Sequence, residues 1–220
     1  MIAYHWDFTT VWNNVGYLGS GLLGTIVLAA ICLFFGAGIG MRLGVALTAR
    51  SRTPRVFAQV FVEIFRGTPA MVQLLWIYYA LPVLVGFQLS PFTAAVIAFS
   101  LYSASYVAGI FKGGIESVGS GQREAAKSLA LTYFQEMRLI VLPQAIRPMI
   151  PAFSNQVMEM VKLTTIASII AYGELVMHTK TIADQEFRPI EAYTTLAILF
   201  SILLIPLAYL TLYLEKRFSR

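Results

Sequence analysis

Two acid–base pairs at helical spacing border or interrupt the long apolar runs of this chain, Glu159 with Lys162 and Glu63 with Arg66. Residues three apart share a helix face, so each pair sets a carboxylate beside a cation. Such a pair suits a ligand that itself carries an ammonium and a carboxylate, because each end meets its opposite charge. Thr164 and Thr165 follow Lys162 closely and add hydroxyls. The same pair also suits a mutually neutralised tie between helices, and both readings stay open for Glu159 and Lys162. For Glu63 and Arg66, which run into Gly67 and Pro69, the structural reading is favoured: a neutralised elbow where glycine and proline break a helix. Nothing points to covalent chemistry. The chain has no Gly-x-x-x-x-Gly-Lys-[Ser/Thr] phosphate loop, no His-Glu-x-x-His and no Gly-x-Ser-x-Gly. Its two histidines, His5 and His178, lie far apart, and the latter reads as a surface residue. The lone cysteine, Cys32, excludes a disulfide framework and a cysteine-rich metal site. The expectation is a chain without catalytic residues, metal or cofactor of its own.

What positions these groups is a membrane. The 220 residues are 58% hydrophobic and 12% charged. A soluble domain carries about one-quarter charged residues, which it needs to cover its surface. Disorder is excluded by the 13% aromatic content. Uncharged runs mark the spans, each needing about 20 residues at 1.5 Å per residue. Gly67 to Phe111 holds no charge and is long enough for two spans joined near Pro82, Gly86 and Pro91. Leu163 to Gly173 is too short alone, so the fourth span must begin near Pro151 and carry Glu159 and Lys162 inside the bilayer. The reading is a single all-α membrane domain over 1–220 with five spans, at about 16–41, 67–84, 91–111, 151–173 and 192–214. The first run lacks a basic segment before it and reads as a permanent helix rather than a cleaved leader.

Basic residues orient the chain. With five spans, one side holds Arg42, Arg50, Arg52, Arg55, Lys112, Arg123, Lys127, Arg138, Arg147, Lys216, Arg217 and Arg220, and the other only Lys180 and Arg188. By the positive-inside rule the N-terminus lies outside and the C-terminus in the cytoplasm. Glu174, Asp184, Glu186 and Glu191 then fall at the last outer loop. They form either a solvated loop or a face that meets a substrate-delivering protein.

Residues 112–150 make the longest connection, and loops of that length are usually functional. Gly121 to Thr132 reads as a short helix with a shallow face of Ala125, Ala126, Leu129 and Ala130. Thr132 with Gln135 is a capping box that starts a second helix, expected to end at about Val141 because Pro143 disfavours helix at Leu142. Two short helices with a bend make a knob. Periodicity alone also allows a plain amphipathic connector.

The motif here is more telling. Glu124-Ala125-Ala126, then position 130, then Ile140, then Leu142-Pro143 resembles the EAA loop of bacterial ABC-transporter permeases at every spacing, with Ala130 where that family has Gly. Phe65-Arg66-Gly67-Thr68-Pro69, Gly113 to Val118, and Lys162-Leu163-Thr164-Thr165-Ile166 resemble segments of its polar amino-acid subfamily, which takes up histidine, glutamine, arginine and opines. The resemblance covers residues 16–214. It implies a type I importer permease fold in which Gln122, Glu124, Ala125, Ala126, Ala130, Ile140, Leu142 and Pro143 form a coupling helix and its support. It also implies two cytoplasmic ATPase subunits carrying ATP and Mg, a second permease chain as homo- or heterodimer, an extracytoplasmic solute-binding protein, and a bacterial inner-membrane location. The implied cargo is a polar amino acid or related zwitterion, with Glu159, Lys162, Thr164 and Thr165 on its path; an opine or a compatible solute such as ectoine is the alternative. Leu163 departs from the subfamily, which often has Asp there. An ATP-independent carrier or scaffold, and an intramembrane enzyme, are the readings from other classes. At Ala130, a left-handed backbone would cost about 1 kcal/mol, so the bend is expected to move to Leu131–Thr132.

Overall fold

The computed structural model describes residues 4–49 and 51–218. The described residues are helical, with no strand among them. In chain order the helices are α1 (Thr9–Asn13), α2 (Val15–Leu47), α3 (Arg52–Gly67), α4 (Ala70–Val85), α5 (Pro91–Glu116), α6 (Ser120–Ser128), α7 (Tyr133–Ile170), α8 (Leu175–Glu186) and α9 (Pro189–Phe218). Three of them, α2, α5 and α9, are each long and apolar enough to cross a membrane. Two bent pairs, α3 with α4 at 101° and α7 with α8 at 48°, raise the possible spans to five if each pair is one span.

Helix α5 is the central post. Its Ala94, Ala98 and Phe99 join Leu28 and Cys32 of α2, Leu74 and Ile77 of α4, and Met160 and Ala167 of α7 in one buried core. Its contact with α2 depends on missing side chains. Gly36, Gly40 and Gly44 recur every four residues, on one face of α2. A Cβ on Gly40 would lie 2.6 Å from Val107 Cβ and 2.7 Å from the Ala104 carbonyl; one on Gly44 would lie 2.3 Å from Phe111 Cβ. In lipid, helices associate through such close van der Waals contact, because the surrounding tails are as apolar as the side chains. Gly40→Val is therefore expected to lower stability by about 1–3 kcal/mol through overpacking. Gly38, whose Cβ position has nothing within 4 Å, is the control. Thermal unfolding of the two variants in detergent checks this: a loss for Gly40→Val with Gly38→Val unchanged is the expected pattern.

Prolines are handled differently from the sequence-based expectation. Helix α7 does not stop at Val141; it continues through Pro143, Pro148 and Pro151 to Leu163, and then tightens to a 3₁₀ stretch over Thr164–Ile170. The turn just before Pro143, Met137–Val141, is a π-helix. A wider turn gives the proline ring room and absorbs the hydrogen bond its nitrogen cannot donate. Trp76–Ala80 does the same ahead of Pro82. Consequently the helix carrying Glu159 and Lys162 shows no boundary near Pro151. At the start of α3 the N-cap is Ser51, and Thr53 and Pro54 lie inside the first turn.

The 101° bend at Thr68–Pro69 is held by Gln73. Its Nε2 donates to the Phe65 carbonyl at 2.9 Å, the Thr68 carbonyl at 3.0 Å and the Thr68 hydroxyl at 2.8 Å. The acidic residues near the other end of the fold are partly structural. Glu174 is fully buried and caps α8 by accepting from the Val176 and Met177 amides. Glu191, also fully buried, accepts from the Tyr4 hydroxyl at 2.6 Å and the Asp7 amide at 3.0 Å. These two carboxylates are therefore not part of an acidic surface; Asp184 and Glu186 are the exposed ones. His178 is not a plain surface residue either. Its ring stacks on Tyr17 at 3.9 Å and its Nδ1 sits 2.7 Å from the Tyr17 carbonyl, joining α8 to α2.

Candidate functional site: the helical knob and the polar face

The knob is built from α6 and the first turns of α7. The chain leaves α6 at Ala130, which takes φ 53. The Leu131 amide then donates to the Ala126 carbonyl at 3.1 Å, the long closure of a Schellman turn. The expected displacement of the bend to Leu131–Thr132 is thus corrected: alanine itself adopts the left-handed conformation. What outweighs its strain is on either side. The Schellman closure satisfies an orphan carbonyl, and Thr132 and Gln135 form the capping box, Thr132 N–H to Gln135 Oε1 at 2.9 Å and Gln135 N–H to Thr132 Oγ1 at 3.4 Å. Ala130→Gly is expected to raise stability by up to about 1 kcal/mol, because glycine adopts this φ without a Cβ clash. A rise in the thermal midpoint of the purified protein checks it; an unchanged or lower midpoint contradicts it.

The knob is tied to the spans. Arg123 donates to the Ile115 carbonyl at 2.7 Å near the end of α5. Gln144 Nε2 donates to Ile140 C=O at 2.9 Å and reaches Gln122 Oε1 at 3.5 Å. Ala126 is fully buried beneath the knob, whereas Gln122, Glu124, Ala125 and Ala130 are exposed. Ile140 and Leu142 are half-buried and Pro143 is exposed. Around the exposed alanines stand Leu129, Phe134 and Leu139, each more than 60% exposed. Exposed alanines together with uncovered apolar side chains on one short segment have the composition of an interaction surface.

The second constellation lies on α3, α5 and α7. Lys162 Nζ is 2.9 Å from Glu159 Oε1, and the two side chains are 53% and 66% exposed. Thr165 is half-buried and its hydroxyl donates to the Lys162 carbonyl at 2.7 Å. Thr164 is fully buried and donates to Val161 C=O at 2.7 Å, so it presents nothing beside the pair. The expected Glu63–Arg66 pairing does not form. Glu63 Oε1 accepts from Gln59 Nε2 at 2.9 Å, while the Arg66 guanidinium lies 4.8 Å above the Tyr106 ring. Two residues escaped sequence reasoning: Tyr102 and Tyr106, whose hydroxyls are 3.0 Å apart. Because Arg66 lies over the Tyr106 ring, this phenol pair adjoins the guanidinium. Their signal was available as two phenols four residues apart in an uncharged span, hence on one face.

A bundle of broken and unbroken membrane-length helices with a projecting EAA knob defines a transport permease. Over residues 36–220 the chain matches the family model described as binding-protein-dependent transport system inner membrane component, and it belongs to that family. It is a transport subunit rather than an enzyme, as members of the family are. It is 34% identical over 213 residues to the probable amino-acid ABC transporter permease protein YckA of Bacillus subtilis, covering 97% of this chain and 91% of the relative. To the glutamine transport system permease protein GlnP of Escherichia coli K12 it is 32% identical over 212 residues, 96% of this chain and 97% of the relative. Among solved structures, that of an amino acid ABC transporter with histidines superposes with a TM-score of 0.89 at 31% identity, over 97% of this chain and 100% of that one. An inward-facing structure of the methionine transporter MetNI superposes at 0.79 with 20% identity, over 94% and 99%, and shares the fold.

Proposed function

We propose that this chain is the membrane-spanning subunit of an ATP-driven importer in a bacterial inner membrane, moving a polar amino acid delivered by an extracytoplasmic binding protein. It forms one permease domain of five spans, two of them the bent pairs, with the N-terminus outside and the knob and C-terminus in the cytoplasm. A second permease chain completes the pathway, since five spans hardly enclose one. Two ATPase subunits, which hold ATP and Mg, receive the knobs. The observation that carries this reading is the knob itself: exposed Ala125 beside buried Ala126 on α6, closed by the turn at Ala130 and bolted to α5 by Arg123. Closure of the ATPase pair moves α6, and the continuous helix α7 transmits that movement to Glu159 and Lys162. These two face the pathway and take the ammonium and carboxylate of the cargo in turn. Thr165 supports the turn that carries Lys162. The glutamine and amino-acid names of the relatives favour a neutral polar amino acid.

The test is uptake of radiolabelled L-glutamine by proteoliposomes holding the permease with the ATPase and binding protein encoded beside it. Uptake that needs both ATP and the binding protein supports the reading. Uptake that continues without ATP selects an ATP-independent carrier instead.

A further inference from the structure

Arg66 is an uncompensated cation, although an acid stands three residues away. Its guanidinium is held over Tyr106 and against Gly109, where an added Cβ would come within 3.0 Å of an Arg66 nitrogen. Glu63 is turned to Gln59 instead. Among the described residues Arg66 joins no ion pair and donates no hydrogen bond. It opens on a cleft of about 270 Å³ lined also by Arg55, Gln59, Glu63, Gly109 and Lys112, in which cations outnumber the single acid. The Tyr102 hydroxyl donates to the Tyr106 oxygen, which leaves the Tyr106 proton free to be donated onward. On α5 the residues Tyr102, Tyr106 and Gly109 follow at four and three residues and so form one stripe. The stripe ends at the cleft, which Gly109 lines.

We infer that Arg66, positioned by Tyr106 and by the bareness of Gly109, is a second anion station: it receives the carboxylate of the cargo after Lys162 and passes it to the basic cleft on the cytoplasmic side. A guanidinium with free N–H groups binds a carboxylate through two parallel hydrogen bonds, and the phenol adds a third. Lys162 is neutralised by Glu159 at 2.9 Å once the cargo leaves it, so the carboxylate moves from a satisfied cation to an unsatisfied one. The inference rests on the pathway proposed above and names the group of the cargo that is handled at its inner end.

Because Cys32 is the single cysteine and is fully buried, Arg66→Cys creates one accessible thiol. In the complete transporter in proteoliposomes, Arg66→Cys is expected to slow L-glutamine uptake about tenfold or more, the scale of a lost charge-assisted bidentate contact. The apparent KM, set by capture on the binding protein, stays unchanged. Treatment with 2-aminoethyl methanethiosulfonate, which restores a positive charge, recovers uptake, and Arg66→Lys retains a large part of it. The anionic 2-sulfonatoethyl reagent recovers none. Wild-type uptake by Arg66→Cys, equal recovery with both reagents, or recovery with neither overturns the inference. Lys162→Met, measured alongside, separates the two readings. If it too transports normally, the pathway itself is wrong; if it is inactive while Arg66→Cys is normal, only the second station is wrong.

Discussion

Lys162→Met abolishes uptake while leaving the transporter assembled. The side chain is about half exposed and its ammonium meets a single carboxylate, so methionine keeps the length and apolar stem and removes only the charge. Exposed ion pairs contribute little to stability, about 1 kcal/mol or less, and the helix around Lys162 is held by buried Met160, Val161 and Thr164. Folding therefore survives. On the proposed pathway transport does not, because the cargo carboxylate loses its counter-charge at membrane depth, where an unpaired charge is costly. The accumulation rate of labelled L-glutamine, set beside the amount of complex recovered on purification, checks this. Normal uptake by the methionine variant rejects a role for Lys162 on the path.

Ala125→Arg disconnects the ATPase. Ala125 is exposed on the ridge of α6 and has no packing role of its own, whereas Ala126 one residue on is fully buried. A long charged side chain at 125 holds the knob off any groove it must enter, yet leaves α6 intact, since Arg is a good helix former. The expected result is loss of ATPase subunits during purification and of ATP-dependent uptake, with the permease still present in the membrane. Retention of both ATPase subunits contradicts the docking surface.

Much of this was legible beforehand for a physical reason: charges and motif residues are constrained one at a time. The Thr132–Gln135 box and the Glu159–Lys162 pair are local patterns and stand where they were expected. The errors came where the answer depended on partners distant in sequence. Glu174 and Glu191 read as loop charges, but one caps a buried helix start and the other collects Tyr4 and the Asp7 amide. Arg66 read as the partner of Glu63, but an aromatic ring on α5 competes for it. Pro143 read as a helix stop, but a π-turn accommodates it. The glycine series 36, 40 and 44 was present in the sequence and could have been read as a packing face.

The link between ATP and this chain's knob is the central element of the proposed function. The decisive measurement is L-glutamine accumulation in proteoliposomes containing the permease, its neighbouring ATPase and its binding protein, with ATP supplied only on the ATPase side. The predicted result is accumulation against the gradient that stops when ATP, the binding protein or the Ala125 surface is removed. Accumulation that persists in Ala125→Arg, or without ATP, contradicts it.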